Sequence, residues 1–160
     1  MFFSTTEDLQ ILKYVTKDRY PKDPEEFKKI CRVRKSWTCL KKSLNRPYIS
    51  IATRWAAFIE PTILAHLYGM IKFDWKKDFF QFVVDSKALG VGDINWKVAC
   101  EKWPFCTKGT LFNSLLGSYA KGKGIPLYQI LEPLVKDAHF PERYFQRRIT
   151  LAEAYDNMTA

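Results

Sequence analysis

Large apolar side chains recur at intervals of three and four residues along almost the whole chain, and this periodicity limits the possible fold more than any other feature. Residues at these intervals share one face of an α-helix, whereas a half-buried strand would need strict alternation. The clearest apolar stripes are Leu9, Leu12 and Val15; Trp37, Leu40 and Leu44; Ile51, Trp55 and Phe58; Phe79, Phe82 and Val83; and Leu111, Leu115 and Tyr119. With 47% hydrophobic and 16% aromatic residues, the chain has ample apolar surface for a core. We therefore predict an all-α fold.

Residues that start and stop helices lie between the stripes. Ser4 followed by Glu7 has the spacing of a capping box, in which a hydroxyl caps the helix start and the carboxylate reaches back. Pro47 is expected to end the helix at 35–46, because proline has no N–H and cannot continue a helix. Asp93 is expected to cap the helix that carries Trp96.

The order of the stripes repeats once along the chain. Trp37 and Trp96, 59 residues apart, stand in corresponding helices of the two repeats. We therefore predict one three-helix unit over residues 1–70 and a second over 71–124. Residues 125–160 are predicted to form C-terminal helices that pack on these units, at 125–135 and 141–155.

The positive charge is concentrated in the first half of the chain. Of the formal charge of +9, most comes from residues 1–80, and between Glu26 and Glu60 there are nine Lys or Arg and no acid. Such a run can neutralise phosphates of a polyanion, although an isolated basic run is more often a solvated surface. In a helix at 35–46, Lys35, Lys42 and Arg46 would cluster opposite the apolar stripe.

The cysteines and histidines do not have metal-ligand spacing. Cys31, Cys39, Cys100 and Cys106 form no C-x-x-C pair, and a zinc site would need a scattered set. We expect reduced cysteines, no metal and no cofactor. His66 and His139 each lie beside apolar residues and are expected to be structural rather than general bases.

Enzymatic and membrane functions are not expected. The sequence lacks a G-x-S-x-G motif, a phosphate-binding glycine loop and H-E-x-x-H, so we predict a non-enzyme without a small-molecule substrate. No apolar run approaches the roughly 18 residues of a membrane span, and the start does not have the pattern of a signal peptide. The expected location is therefore the cytoplasm or nucleus.

The order of the aromatic residues is similar to that of the Myb/SANT family of homeodomain-like modules. Phe3 with "STTEDLQILKYV", Trp37-x-x-Leu40-x-x-x-Leu44 and Arg54-Trp55 match its three helices in order. The second unit offers Trp75 or Phe79, then Trp96-x-x-Ala99-x-x-x-Trp103, but has Leu115 at the third aromatic position. The resemblance implies a core built on large aromatics, which we assign to Phe3, Trp37, Trp55, Trp75, Trp96 and Trp103.

Within that family the opening resembles the Myb domains of the repressor-activator telomere proteins. The pair of units resembles the tandem Myb-containing domains of nematode double-strand telomere-binding proteins. The resemblance implies a nuclear protein associated with telomeres or chromatin, and a third helix that enters the major groove of DNA. The same resemblance allows another frame, in which 35–46 is the third helix and presents Lys35, Thr38, Lys42 and Arg46 outward.

The residues that face outward on the predicted third helices determine whether these helices can contact DNA bases. In segment 49–60 they are Ile49, Thr53, Ala56, Ala57 and Glu60, a set without a cation that could reach a base. We therefore expect this helix to recognise DNA sequence poorly. The candidate DNA contacts, drawn from the basic surface around 28–54 and from unit 2, are Lys35, Lys41, Lys42, Arg46, Arg54 and Asn113.

The outer face of the third helix in the second unit favours contact between helices. It consists of Gly109, Asn113, Leu116, Gly117 and Ala120, and small residues let two backbones approach each other. We therefore predict a protein–protein assembly function, as a homodimer or a heterodimer with a paralogue. The helices after residue 124 could instead cover this face within the chain. Direct binding of double-stranded telomeric DNA is the alternative function.

Overall fold

Helices are the regular structure throughout the part of the chain that the computed structural model describes, and no strand occurs there. The described residues are 3–33, 35–71, 75–121, 124–137 and 142–158, without the side chains of 113, 116–121 and 142–145. The prediction of an all-α fold is confirmed. The helices are α1 (Thr5–Thr16), α2 (Pro24–Cys31), α3 (Thr38–Leu44), α4 (Tyr48–Arg54), α5 (Glu60–Leu67), α6 (Trp75–Asp85), α7 (Trp96–Lys102), α8 (Lys108–Lys121), α9 (Leu127–Lys136) and α10 (Glu142–Met158). A π-helical turn, Trp55–Ile59, joins α4 to α5, and a 3₁₀ turn spans Val91–Asp93.

The chain divides into two compact units, and the first is formed by two separate segments of the chain. Unit 1 consists of residues 1–72 together with 146–160, and unit 2 consists of 73–145. The segment 125–160 is therefore shared, because α9 lies in unit 2 and most of α10 lies in unit 1.

The start of α1 has the predicted capping box. The Ser4 hydroxyl accepts a hydrogen bond from the Glu7 N–H, and the Glu7 carboxylate accepts one from the Ser4 N–H, both at 3.1 Å. These bonds satisfy N–H groups that have no partner inside the helix. They also hold the next residue, Asp8, at a buried position.

Helix α3 is shorter than predicted. It begins after Trp37, and Asn45 ends it in the left-handed conformation with φ 51°. Lys35 precedes the helix and Arg46 follows it, so the predicted row of Lys35, Lys42 and Arg46 on one helix face is wrong. In the alternative frame, with a third helix over 35–46, Lys35 and Arg46 also fall outside the helix, whereas Thr38 and Lys42 lie on α3 and are exposed. That frame stays a prediction.

The helix that begins at Tyr48 continues past its predicted end near residue 60. Pro61 lacks the N–H that would bond to the carbonyl of Ala57, and its ring would crowd that carbonyl in a regular α-helix. The chain widens into the π-helical turn instead, where the Glu60 N–H bonds to the Trp55 carbonyl, and the helix resumes as α5. A proline usually ends a helix, but here the π-helical turn accommodates Pro61 within a longer one.

Unit 1 is built around α1, the helix from Tyr48 to Leu67, and α10. Helix α1 packs on α2, α3 and the π-helical turn, and α2 packs on α5. The predicted stripe of Ile51, Trp55 and Phe58 is buried, as are Leu12 and Val15. The fully buried side chains of this unit include Ile11, Leu12, Phe27, Ile51, Ile59, Ile63 and Tyr155.

Unit 2 is built around the pair α6 and α9. The pair is joined at one end by backbone hydrogen bonds, from Leu127 N–H to the Leu89 carbonyl at 2.9 Å and from Tyr128 N–H to the Ala88 carbonyl at 3.0 Å. The buried core of this unit includes Trp75, Phe79, Phe80, Val83, Trp103, Leu111, Leu115, Leu127 and Leu131.

The cap of α7 differs from the prediction. Asn95 caps the helix by accepting from the Val98 N–H at 3.2 Å. Asp93 instead accepts from the N–H groups of Leu89 and Gly90, at 3.1 and 3.2 Å, and closes the turn before the helix. Among all the helices described, none is long and apolar enough to span a membrane.

Candidate functional site

Two of the predicted DNA contacts, Arg46 and Arg54, form ion pairs within unit 1. Arg54 holds the Asp8 carboxylate through two parallel bonds of 2.8 Å, from Nε to Oδ1 and from Nη2 to Oδ2. Arg46 holds the Glu7 carboxylate from Nε at 2.6 Å and from Nη2 at 3.1 Å. Both arginine side chains are largely buried, at 11% exposed for Arg46 and 14% for Arg54. Neither guanidinium projects from the surface as a DNA contact would need.

The same two arginines cover aromatic rings. The guanidinium carbon of Arg46 lies 3.9 Å from the centre of the Phe3 ring, and that of Arg54 lies 3.7 Å from the centre of the Phe58 ring. These positions allow cation–π attraction. The hydrogen bond from Arg46 is the main reason why the pKa of Glu7 falls to about 2. The pairs thus tie α1 to the turn before α4 and to the end of α4.

Of the three lysines predicted to contact DNA, one interacts within the chain and two are exposed. Lys35 is half-buried, donates to the carbonyls of Cys31 and Val33, and lies 5.7 Å from the centre of the Trp55 ring. Lys41 and Lys42 are exposed on α3. Of the predicted contacts with described side chains, these two are the ones placed to meet an external anion.

The predicted outward face of α4 is exposed and apolar. Ile49 is 62% exposed, and Thr53, Ala56 and Ala57 are exposed along the same helix. Tyr48, at the start of α4, is 56% exposed. Glu60 differs from the prediction, because its side chain is half-buried and does not face outward. Burial raises the pKa of its carboxyl.

A groove lies on unit 1 between the second half of α1 and the chain around α3. It has a volume of about 600 Å³ and an apolar floor that includes Val15 and Leu40. The Tyr14 ring packs against Trp37 at a tilt of 39° with ring centres 6.3 Å apart, and its hydroxyl donates to the Ser36 carbonyl. This site was not predicted from the sequence, although Gln10, Lys13, Tyr14 and Lys17 have the spacing of one helix face and all line it.

The predicted interface on α8 is described in part. Gly109 is exposed, and the nearest atom to an added Cβ would be the Thr107 hydroxyl at 3.7 Å, so that position has room for a neighbour. The side chains of Asn113, Leu116, Gly117 and Ala120 lie outside the description, so the role of this face stays a prediction.

The predicted core aromatics differ in burial. Trp55, Trp75 and Trp103 are buried, whereas Phe3, Trp37 and Trp96 are half-buried. Trp103 meets Phe79 edge to face with ring centres 5.5 Å apart. Buried aromatics that lay in neither the predicted set nor a predicted stripe include Phe27, Phe80, Phe105 and Tyr155.

Cysteine and histidine positions show no metal site in the described residues, where no cluster of three or more ligating side chains occurs. Cys31 is buried, and burial raises the pKa of its thiol to about 12, which keeps it protonated and unreactive at neutral pH. His66 lies 2.7 Å from the Asp156 carboxylate and links α5 to α10. His139 lies outside the described residues.

These features define an all-helical protein with two units, in which unit 1 presents an apolar helix face, an apolar groove and exposed lysines. Comparisons with protein-family models, with curated proteins and with solved structures found no match to this chain. The family resemblance therefore stays a prediction from the sequence.

Proposed function

We propose that this chain is an assembly module of a nuclear protein associated with telomeres or chromatin, and that it acts mainly through protein–protein contacts, as a homodimer or a heterodimer with a paralogue. The observation that supports this most is the outward face of α4. Ile49 and Thr53 of α4, with Ala56 and Ala57 of the π-helical turn that continues it, are exposed and uncharged. Burying apolar area contributes about 25 cal/mol per Å² to association.

The charge of the chain favours this face for contact with a second copy. A formal charge of +9 makes two copies repel each other, most strongly where exposed cations would meet. The cation of α4, Arg54, is largely buried and paired with Asp8, so the exposed side of α4 carries no cation. A two-fold contact through this face therefore brings no exposed cation of α4 against its copy.

Light scattering at micromolar concentrations, coupled to size exclusion, tests the proposal. The parent chain is expected to dimerise, and Ile49→Asp is expected to give a folded monomer, because a buried contact cannot solvate the new carboxylate. Lys41→Asp places the same charge on the exposed side of α3 and should leave the dimer intact. Circular dichroism checks that both variants stay helical.

Gly117→Arg, run in parallel, separates the two candidate faces. If this variant is the monomer and Ile49→Asp remains dimeric, the contact runs through α8 as the sequence predicts. A parent chain that stays monomeric over the whole concentration range, alone and mixed with a paralogue, would refute the assembly function.

Binding of duplex DNA is the second candidate, and the arrangement of α3 and α4 favours it. The two helices are joined by a turn at residues 45–47, as in a helix-turn-helix, and Lys41 and Lys42 are exposed on the first of them. Lys29 and Arg32, at the end of α2, add exposed positive charge to the same unit. Lysines on a surface meet phosphates but do not read sequence.

A gel-shift series with telomeric and scrambled duplexes at two salt concentrations tests this candidate. We expect weak binding that does not discriminate between the duplexes and fades steeply toward physiological salt. A preference beyond about tenfold for the telomeric duplex at ~150 mM salt, abolished by Lys42→Ala, would make DNA reading the main function.

A further inference from the structure

We infer that the groove between α1 and α3 binds an acidic, amphipathic peptide segment of a partner protein. This inference goes beyond the proposed self-association, because the residues that line the groove do not include those of the outer face of α4. It depends on three properties of the groove: its volume, its fixed walls and the charge of its rim.

The volume and the floor suit several apolar side chains. About 600 Å³ falls in the middle of the range of roughly 300–1,000 Å³ found for binding sites. Val15 and Leu40 form part of the floor, and Val33 lies at the edge with 58% of its surface exposed. An exposed valine beside an open apolar floor forms an apolar surface whose burial by a partner would favour binding.

The walls are held in place without a ligand. The Tyr14 ring packs at a tilt against Trp37, and the Tyr14 hydroxyl donates to the Ser36 carbonyl, so α1 is fixed to the chain that leads into α3. A preformed groove spares a ligand the free-energy cost of ordering the site. Amphipathic segments that lie in a groove are one of the recurring modes of peptide recognition.

The rim selects for acidic groups. Three lysines, Lys13, Lys17 and Lys35, line the groove, and Asp18 is the acid among its described lining residues. The Lys13–Asp18 pair is long, at 3.8 Å, and both side chains are about two-thirds exposed, so it is weak and exchangeable. Carboxylates that flank an apolar stripe on a partner would meet Lys13 and Lys17. A nucleic acid would leave the apolar floor uncovered.

The experiment starts from a display library of random 12-residue peptides panned against the full chain. We expect enriched sequences that combine large apolar residues with Asp or Glu. The most enriched peptide is then synthesised with a fluorescent dye, and its affinity is measured by anisotropy at low and physiological salt. Affinity should fall with salt, because the rim contacts are exposed.

Two pairs of variants locate the binding site. Val33→Glu should weaken binding at least about tenfold by placing a charge at the apolar edge, while Leu89→Glu, at a similarly exposed position in unit 2, should not. Lys17→Glu should weaken binding about threefold to tenfold, because an exposed ion pair contributes little and the new carboxylate repels an acidic peptide. Lys29→Glu, which makes the same charge change outside the groove, should not.

Three kinds of result would overturn the inference. Enrichment of basic peptides, or no enrichment, excludes an acidic partner. Binding unaffected by Val33→Glu places the peptide elsewhere. Dodecanoate that displaces the peptide and binds more tightly than it does would make the groove a fatty-acid site. Light scattering on Val33→Glu separates this result from the proposed function, because the dimer should persist when the groove is blocked.

Discussion

Two adjacent carboxylates, Glu7 and Asp8, determine which cations of the basic segment can meet a partner. Glu7 holds Arg46, and Asp8 holds Arg54, although these arginines are 39 and 46 residues further along the chain. The sequence shows nine cations without an acid between Glu26 and Glu60, but two of them, Arg46 and Arg54, have counter-ions that come from α1. Positive charge in the sequence is therefore a poor measure of positive charge at the surface.

The Asp8–Arg54 pair should be essential for the stability of unit 1. Asp8 is 3% exposed, so Arg54→Ala would leave a buried carboxylate without its partner. We expect a loss of roughly 3–5 kcal/mol in the free energy of unfolding, measured by urea titration. Lys41→Ala, at an exposed position on α3, should change it by less than about 0.5 kcal/mol.

A double variant tests the cause of that loss. Asp8→Asn combined with Arg54→Leu leaves no buried charge and should recover much of the stability. If Arg54→Ala is as stable as Lys41→Ala, or if the double variant is no better than the single one, the ion pair is not what stabilises this part of unit 1.

At the scale of elements, local signals in the sequence were reliable where no distant residue competed with them. The capping box at Ser4 and the stripe of Ile51, Trp55 and Phe58 depend on neighbours three or four residues apart, and both are present. The ends of α3 and the course of the chain past Pro61 were predicted wrongly. Asn45 ends α3 in the left-handed conformation, so that Arg46 binds Glu7 from the following turn, and the buried residues of α5 follow the proline in a resumed helix.

The candidate site was predictable to a similar extent. The outward face of α4 followed from helical spacing, since exposure there is a property of one helix. The groove did not, because it forms only when α1 and the chain before α3 come together through Tyr14 and Trp37. The ion pairs of α1 were not predictable either, because their partners lie 39 and 46 residues apart in the chain.

The contact between α1 and the turn before α4 predicts a specific pH dependence. The pKa of Glu7 is lowered from 4.5 to about 2 in the folded chain, chiefly by Arg46, so the group stabilises the fold above pH 4.5. That contribution is lost as the pH falls from 4.5 toward 2. Urea titrations at pH 7 and pH 3 should therefore show a smaller acid-induced loss for Glu7→Gln than for the parent.

The control is Glu153→Gln, an exposed change on α10, which should retain the full acid-induced loss. Glu60 acts in the opposite direction, because burial raises its pKa and its ionised form destabilises the fold as the pH rises. An acid-induced loss in Glu7→Gln equal to that of the parent would show that Arg46 does not stabilise the Glu7 carboxylate in solution.

At the scale of the whole molecule, unit 1 is completed by residues that follow unit 2 in the chain. Tyr155 of α10 is fully buried, meets Phe27 edge to face with ring centres 6.1 Å apart, and donates to the Pro21 carbonyl. His66 reaches Asp156 on the same helix. A fragment that ends near residue 70, the boundary predicted from the sequence, would lack the helix that covers Phe27.

This topology predicts that a change in α10 acts first on the opening helices of the chain. Tyr155→Ala should cost roughly 3–5 kcal/mol, since it removes a large buried ring and leaves a cavity. Amide hydrogen exchange should then rise in α1 and α2, which belong to unit 1, while α6 keeps its protection. Leu131→Ala, at a fully buried position of α9, should have the converse effect and raise exchange in α6 while α1 keeps its protection. If Tyr155→Ala instead raised exchange in α6 and spared α1 and α2, α10 would stabilise unit 2, and the boundary near residue 70 would define a unit that needs no later residue.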